Sequence, residues 1–499
     1  MPPRFIILEY ARLACAPLLC LLAALTACSV GPNFTRPSPP AAARYTSNTL
    51  PLEDNTAAGT QHVALGKEIE GDWWSLFGSD SIGGVVRQAL EHNRTLEAAA
   101  HTLAQSHELA VAQAGLRYPQ VGLTAGVGRQ QYGAEFFGGD FTFPPFTYFA
   151  VGPTVSYTVD YTGGIARSIE QQQAQAEAAH QQLDAAFLSV SGQAVLQSIT
   201  IASLRAQIAT VETILEQDRD NLRLVHTAFE NGSVARIDVV SAESQIASDS
   251  ALLPPLRQEL AKAHHALSLV LGRLPDQDLP ADLELAQITL PLEMPVSLPS
   301  ELAHRRPDIL AAEARLHAAT SAVGVADSNL YPKIQITGTV GPQAVTPGGL
   351  FDRSSIAWSL ISGLTMPVFD GGTLRAEKRA AVDAMRASAA SYQEAVLEAF
   401  TQVADLLEAL GHDAEQLDAQ DQAQRAAEAN LSLTRAAYRE GNVGILRVLD
   451  AQRSYQQARL GYVQTVAQRY LDTVQLFLAL GGTSPHPSTH HLTENEVER

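Results

Sequence analysis

The feature that most constrains this chain is a plan that its sequence carries twice. Residues 96–124 and 309–337 each read as an alanine-rich helical segment that ends in a Tyr-Pro pair and continues into an alternating strand. The other matching blocks follow in the same order, 159–167 with 367–375 and 229–243 with 438–452. Matched blocks in one order, about 210 residues apart, indicate an internal duplication. The chain is therefore expected to fold as two related halves.

Each copy predicts the order helix, strand, loop, strand, long helix, turn, long helix. The proline of each Tyr-Pro pair ends a helix and favours an extended residue before it. A Gly-Gly pair after each second strand permits a sharp passage into the next helix. The predicted strands are Val121–Arg129, Tyr148–Thr158, Ile334–Val340 and Ile356–Thr365. Both halves thus combine a pair of short strands with long helices.

The helices that follow the Gly-Gly pairs are unusually long. Neither 165–229 nor 373–438 contains a proline, and an unbroken helix of either length extends about 100 Å at 1.5 Å per residue. Apolar residues recur there at three- and four-residue steps, which is typical of a packing seam. This seam taken alone is equally compatible with a plain coiled-coil rod.

The four strands argue against a rod. Four strands are too few to close a barrel, and open strand edges cannot face lipid. If the strands span a membrane, several chains must pool them. Two chains would give eight strands around a lumen filled by side chains, whereas three chains give twelve strands with room for cargo. The predicted fold class is therefore a mixed α and β membrane protein, with a trimeric 12-stranded β-barrel continued by a long α-helical barrel.

The N-terminus reads as a bacterial lipoprotein signal. Arg4 and Arg12 flank the start of a short apolar run, which ends in Thr26, Ala27 and Cys28. We predict that residues 1–27 are a signal peptide and that Cys28 is lipidated. The alternative is an ordinary signal peptide with a chance cysteine. The run is too short for a good membrane-spanning helix, and no other stretch reads as apolar enough for one.

Charge and motifs argue against other functional classes. A formal net charge of −19 disfavours phosphate neutralisation, so no nucleic-acid partner is predicted. Cys15 and Cys20 fall in the removed segment and Cys28 is the acyl site, which leaves no thiol for a disulfide or a metal. No P-loop, HExxH or nucleophile-elbow motif is present, so no enzyme and no cofactor beyond the Cys28 lipid are predicted. A periplasmic adaptor or coiled-coil scaffold would show one hairpin and no paired strands.

Several short motifs resemble those of outer-membrane factor lipoproteins of tripartite efflux systems, the TolC and OprM-like family. The motifs are Gly31-Pro32, the DWWSLFG segment at 72–78, the RRPDI junction at 305–309, Tyr438-x-x-Gly441 and VLDAQ at 448–452. The resemblance covers about 30 to 482. It implies a homotrimer in the outer membrane, anchored by lipid and extending into the periplasm. The implied partners are a periplasmic adaptor protein and an inner-membrane pump, which in the family is commonly proton-driven.

The implied function is that of an exit duct that passes small molecules to the exterior. The alternative is the outer-membrane duct of a type I protein-secretion system. The resulting organisation is a signal peptide at 1–27, a lipidated segment at 28–80, repeat 1 at 81–300, repeat 2 at 301–482 and a disordered tail at 483–499. Trp73 and Trp74 are expected to pack in a core rather than anchor the protein at the membrane interface.

The resemblance also implies functional positions at the turns between long helices. Such turns face the adaptor and the closed periplasmic entrance in the family. The adaptor-contact residues so implied are Gly232, Ser233, Val234, Gly441, Asn442 and Val443. The alternative is that these are turns and nothing more, since glycine suits a left-handed helix end.

The same resemblance places Asp450, Leu446 and Tyr438 at the pore entrance. One Asp450 per chain would make a ring of three carboxylates in a trimer, and such rings attract cations. The alternative is that Asp450 is an ordinary solvated helix charge. Arg447 stands where some relatives place an acid, and it is a candidate to pair with Asp450 or Glu440.

Overall fold

The computed structural model describes residues 29–38, 44–46, 53–56, 59–67, 72–138, 144–280 and 283–482. The predicted signal peptide at 1–27, the lipidated Cys28 and the tail at 483–499 lie outside the described residues.

The described elements are seven strands and eight helices of more than one turn. The strands are β1 Glu53–Thr56, β2 Gly59–Leu65, β3 Gln120–Gln130, β4 Phe146–Val159, β5 Glu293–Val296, β6 Lys333–Ala344 and β7 Ile356–Thr365. The helices are α1 Asp80–His92, α2 Arg94–Ala114, α3 Gly164–Glu230, α4 Arg236–Ser250, α5 Leu253–Val270, α6 Pro307–Ser328, α7 Thr373–Arg439 and α8 Ile445–Ala479.

Two of the helices have the predicted exceptional length. Helices α3 and α7 each contain 67 residues, so each is about 100 Å long at 1.5 Å per residue. Each begins at a Gly-Gly pair and ends at a tight turn. The predicted starts and ends of both helices are confirmed to within one residue.

The order of elements repeats with one difference. The first copy runs α2, β3, β4, α3 and then a broken helix, α4 followed by α5. The second runs α6, β6, β7, α7 and then α8, which is continuous over 35 residues. The prediction of a single last helix in the first copy is therefore wrong. Pro254 and Pro255 stand in the first turn of α5, and a proline cannot continue a helix because it lacks the N–H donor.

The predicted strands form one antiparallel sheet with the order β3-β4-β6-β7. Tyr118 is extended, with φ −103° and ψ 154°, as expected of a residue before proline. All four strands are confirmed, and β4 and β6 extend a few residues beyond the predicted bounds. The two copies thus contribute adjacent hairpins to a single sheet, with β3 and β7 at its edges.

A second, smaller sheet was not predicted. It has the order β1-β2-β5, with β1 antiparallel to β2 and β2 parallel to β5. The pairing of His62 with Glu293 joins segments more than 200 residues apart in sequence. Strands of four to seven residues without clear alternation give too little local signal to reveal such a pairing.

The chain divides into two compact units. Among the described residues, the first comprises those within 29–37, 103–179 and 312–392, and it contains the four-stranded sheet. The second comprises those within 38–102, 180–311 and 393–482, and it contains the three-stranded sheet and both helical turns. Each unit draws on both copies of the duplication. The predicted repeat boundaries at 81, 301 and 482 stay predictions.

The second unit has an aromatic core. Trp73 and Phe77 are fully buried, and their rings lie 6.0 and 6.1 Å from the ring of Phe477. Trp74 packs beside them, 5.8 Å from Trp73. The predicted core role of both tryptophans is confirmed.

Helix α3 also supplies part of this core. Val190, Val195 and Ile199 are buried in the same cluster. One window of α3 has a mean hydropathy of 1.4, so by length and composition the helix could cross a membrane, and half of that window is buried. The prediction that no stretch beyond the signal peptide is apolar enough is wrong by that criterion. Packing in a protein core accounts for such a composition equally well.

Candidate functional site

The four-stranded sheet has two faces of opposite character. Side chains alternate along each strand, and the antiparallel register aligns them across the sheet. The residues of one face, called here the apolar face, include Val121, Leu123, Val127, Phe149, Val151, Val155, Tyr157, Ile334, Ile336, Val340, Ile356, Trp358, Leu360 and Leu364. The register therefore gathers most of the large apolar side chains of the sheet on one side.

The opposite face, called here the polar face, carries mainly small and uncharged side chains. It includes Gly122, Thr124, Gly126, Thr154, Ser156, Gln335, Thr337, Thr339, Gln343, Ala357 and Ser359. Hydroxyl groups pair across strands there: Thr124 Oγ1 lies 2.8 Å from Thr154 Oγ1, and Thr339 Oγ1 lies 2.7 Å from Ser359 Oγ. Lys333, the first residue of β6, is the charged residue on this face among the four described strands.

Glycines allow the two central strands to approach closely. The ladder between β4 and β6 is interrupted across 151–153 and 340–342, and each stretch contains a proline that lacks an N–H donor. Gly152 and Gly341 face each other in this gap. A Cβ at Gly152 would lie 2.2 Å from the Val340 carbonyl oxygen. Larger residues are therefore excluded at this level of the sheet.

The N-terminal segment docks beside the end of β4. The Val30 N–H donates to the Thr162 carbonyl at 3.0 Å, and a Cβ on Gly163 would lie 2.9 Å from Ser29 Cα. Arg167 of α3 donates from Nε to the Val30 carbonyl at 3.2 Å. The residue that follows Cys28 is thus fixed at the turn between β4 and α3.

Further contacts hold the same segment. Phe34 stacks on His317 with ring centroids 4.4 Å apart, and His317 Nε2 lies 2.8 Å from Glu170 Oε1. Burial acts to raise the pKa of Glu170, but hydrogen bonds from His317 and Arg167 outweigh it and lower the pKa. Sequence reasoning missed this docking network, because no local pattern links residues near 30 with residues near 317.

The two helical turns have matching geometry. Gly232 and Gly441 have φ of +71° and +79°, in the left-handed region that favours glycine. The Ser233 N–H donates to the Ala228 carbonyl at 2.8 Å, and the Asn442 N–H donates to the Ala437 carbonyl at 2.9 Å. Both turns are therefore Schellman-type helix ends. The side chains of Ser233 and Asn442 are exposed.

An apolar cluster, called here the tip cluster, packs beneath the turns. Its buried members are Val225, Val239, Ala242, Ile445 and Val448, contributed by α3, α4 and α8. Val234 and Tyr438 pack against it and are half-buried. The side chains of these two predicted site residues thus contribute to packing between the hairpins. Val443 is also half-buried.

Asp450 and Leu446 lie one turn apart on α8, and both are exposed. Arg453 donates from Nη2 to Asp450 Oδ1 at 3.3 Å. The expectation that Arg447 pairs with Asp450 is therefore corrected, since the cation one turn later on the same helix makes that contact. Both side chains of this pair are more than half exposed, so the pair contributes little to stability.

The structure thus brings Tyr438, Val234 and the tip cluster together, and it leaves Asp450 and Leu446 open on the surface. Their predicted roles at a pore entrance, and the adaptor-contact roles of the turn residues, stay predictions. Among the described residues no group of three or more His, Cys, Asp or Glu side chains is placed to hold a metal ion.

Comparison with known proteins gives consistent matches over most of the chain. The family model described as outer membrane efflux protein matches residues 85–273 and 298–482. The pyoverdine export outer membrane protein OpmQ of Pseudomonas aeruginosa is 30% identical over 449 residues, which cover 87% of this chain and 93% of that protein. The outer membrane protein OprJ of the same organism is 30% identical over 486 residues, covering 93% and 95%. The solved structure of the outer-membrane channel OprN matches with a TM-score of 0.78 and 27% identity, covering 91% of this chain and 99% of that one.

Proposed function

The chain belongs to the outer membrane efflux protein family, and we propose that three copies of it form the exit duct of a tripartite efflux assembly. The predicted family, outer-membrane location and function as an efflux channel are confirmed. The trimer, the closed barrel and the identity of the partners are the proposal. The family model and the relative OpmQ are described by efflux and export, so the alternative of a type I protein-secretion duct is not taken further.

The observation that carries the proposal is the two-faced sheet with unpaired edges. An isolated four-stranded sheet in lipid would leave the N–H and C=O groups of β3 and β7 without hydrogen bonds, at a cost of several kcal/mol per group. Pairing β7 of one copy with β3 of the next removes every edge. Three copies give twelve strands, which leave an open lumen, whereas eight strands leave one that side chains fill.

The two faces then have distinct environments. The apolar face meets lipid, which explains why Trp358, Leu360 and Leu364 are exposed in a single chain. The polar face lines the lumen mainly with hydroxyl, amide and glycine surfaces, and Lys333 is its one charged residue among the described strands. This arrangement supports a conduit of low selectivity, with the choice of cargo made by the pump.

The docked N-terminus supports lipid anchoring at Cys28. Because Ser29 packs beside Gly163, an acyl chain on the preceding residue would start close to the end of β4. That position suits insertion of the lipid next to the barrel. No further cofactor is proposed.

The matched turns are the proposed contacts for a periplasmic adaptor and an inner-membrane pump, the latter proton-driven as the resemblance implies. Ser233 and Asn442 offer exposed polar side chains on rigid turns. A trimer would present each turn three times, and it would place three copies of Asp450 around the entrance. Each Asp450 carries an Arg453 partner, so this ring is partly neutralised.

Two measurements test the proposal together. Light scattering of the detergent-extracted protein should give the mass of three chains, and planar-bilayer recordings should show discrete conductance steps. Cysteine pairs that link β3 to β7 should cross-link between chains and not within one chain. A monomer confined to the water-soluble fraction, or cross-links formed within single chains, would overturn the proposal.

A further inference from the structure

Each helical hairpin contains two aspartates that meet across its two helices, and at least one of each two is buried. In the first hairpin Asp218 of α3 is 3% exposed, and its carboxyl lies within hydrogen-bonding reach of the half-buried Asp249 of α4. In the second, Asp413 of α7 is 7% exposed and meets Asp472 of α8, which is 8% exposed. Neither pair belongs to the proposed entrance or adaptor contacts.

The first pair is surrounded by neutral donors. Gln456 of α8 donates from Nε2 to Asp218 Oδ1 at 3.0 Å, and Gln245 donates from Nε2 to Asp249 Oδ2 at 2.8 Å. Asp218 Oδ2 is buried and has no hydrogen-bond partner. The charged group that faces Asp218 is Asp249, so no cation offsets the two carboxylates.

The second pair also contains a buried carboxylate oxygen without a hydrogen-bond partner, but it has basic side chains nearby. Gln468 donates from Nε2 to Asp472 Oδ2 at 2.9 Å, while Asp413 Oδ2 is buried without a partner. Arg469 of α8 and His412 of α7 are the basic side chains that act on Asp413. Arg469 also donates from Nε to Gln61 Oε1 at 2.8 Å, so part of its hydrogen-bonding capacity is directed away from the pair.

One proton bound to each aspartate pair would remove both the repulsion between the carboxylates and the unpaired buried oxygen. Ionised carboxylates only accept hydrogen bonds, so two of them in contact repel each other and leave a buried oxygen unpaired. A proton on one oxygen turns the contact into a donor–acceptor bond between the two helices. Burial, together with the neighbouring carboxyl, raises the pKa of Asp218 and that of Asp413 to about 7.

We propose that each hairpin holds a buried proton-binding site and that the bound proton clasps its two helices together. Loss of the proton as the pH rises through neutrality places two negative charges in a poorly solvated contact, and the helices separate there. The Asp218 site lies about 21 Å along the helix from its turn, and the Asp413 site lies about 42 Å from its own. The two hairpins thus carry their proton sites at different distances from the helical turns.

The direction of the pH effect follows from the raised pKa values. An unfolded aspartate releases its proton near its ordinary pKa of 3.8, whereas the folded Asp218 and Asp413 hold theirs up to a pKa of about 7. The stabilisation by the clasp is therefore complete in acid and is lost as the pH rises through about 7. The proposal that these sites bind protons depends only on the fold of the hairpins. The consequence that proton loss loosens the periplasmic entrance rests on the proposed function.

Distance measurements between spin labels on the first hairpin test the clasp. Labels at Leu224 of α3 and Ile237 of α4, both exposed, are attached through cysteines in the full-length protein in detergent. We expect a short, narrow distance distribution at pH 5 and a longer, broader one at pH 8.5, with a midpoint near 7. The change of Asp249→Asn supplies a permanent amide donor to Asp218, so it should keep the acid distribution at both pH values.

The matched control is Glu243→Gln, which removes an exposed carboxylate from α4 and should leave the pH response of the wild type. A wild-type distance that does not change with pH, or an Asp249→Asn variant that still responds, would overturn the proposal. A distance that changes with added Mg²⁺ at fixed pH would also overturn it, because the ligand would then be a cation. Labels across the second hairpin with Asp413→Asn repeat the test independently. Conductance is recorded separately, so loss of the pH response in a conducting channel contradicts the clasp and not the duct.

Discussion

Two tryptophans of this chain show how differently its two units are built. Trp73 in the helical unit is 0% exposed and packs among Phe77 and Phe477, whereas Trp358 in the sheet unit is 76% exposed. Trp73 follows the usual rule for proteins in water, where aromatic side chains are buried in the core. Trp358 lies on the apolar face, where the proposed solvent is lipid. If the barrel forms as proposed, one chain is thus built for two solvents, and the exposure of its largest side chains differs accordingly.

The largest expected effect comes from emptying the helical core. Trp73→Ala removes a fully buried indole and should destabilise the protein by about 3–5 kcal/mol, the usual cost of a large cavity. Trp358→Ala should cost much less, because no protein core surrounds that ring. Thermal unfolding followed by circular dichroism in detergent measures both. Equal losses of stability would contradict the contrast between the two units.

The second-largest effect is expected when a charged residue is placed on the apolar face of the four-stranded sheet. Leu360→Lys places an ammonium on the apolar face and should cost about 2–4 kcal/mol per chain near the middle of the membrane. Ser359→Lys is the matched control, since the adjacent residue points to the polar face and its charge would remain in water. The amount of trimer recovered from outer membranes is the measurement. Equal recovery of the two variants would remove the assignment of the faces.

A smaller effect is expected from steric change on the polar face. Gly341→Ala would place a Cβ 2.2 Å from the Val151 carbonyl oxygen, so the strands must move apart at a cost of about 1–3 kcal/mol. Gly122→Ala on the same face meets nothing within 4 Å and should be close to neutral. Resistance of the trimer to heat in detergent compares the two. A tolerant Gly341 would show that the close approach of β4 and β6 is dispensable.

The smallest effect concerns the exposed charges of α8. Asp450→Ala should leave stability nearly unchanged, because exposed ion pairs contribute little. Reversal potentials in a salt gradient should show a weaker preference for cations. Arg453→Ala should strengthen that preference, since it frees the Asp450 carboxylate. Steps with unchanged reversal potentials in both variants would keep the channel and exclude Asp450 from its entrance.

The sequence predicted the strands and long helices well because their signals are local. Alternating apolar residues, the Tyr-Pro pairs and the Gly-Gly pairs act over a few residues. The predicted bounds of α3 and α7 therefore lie within one residue of those in the structure. Contacts between distant segments were not predictable in this way. The pairing of β2 with β5, the contact of Arg167 with Val30 and the aspartate pairs all depend on how helices and strands pack in three dimensions.

The residues of the candidate site also divide into those with a local sequence signal and those that depend on three-dimensional packing. The turn at Gly441 was predicted because a left-handed helix end has a residue preference of its own. Arg447 was a candidate to pair with Asp450 or Glu440, and the structure gives Asp450 to Arg453 instead, since spacing along a helix does not settle which of two arginine side chains reaches a carboxylate. Asp218 and Asp413 carried no signal, because each is a single acid in a helical stretch.

The break between α4 and α5 gives the two hairpins unequal mechanics. The second hairpin ends in α8, a continuous helix of 35 residues, whereas the first ends in helices of 15 and 18 residues separated by a two-residue break before Pro254. A continuous helix resists bending along its whole length, whereas a break in the hydrogen-bond ladder at proline is where a helix bends. In the proposed trimer, three continuous α8 helices and three interrupted α4–α5 segments would surround the entrance. We expect any widening of that entrance to bend the interrupted segments first, while the continuous helices keep their shape.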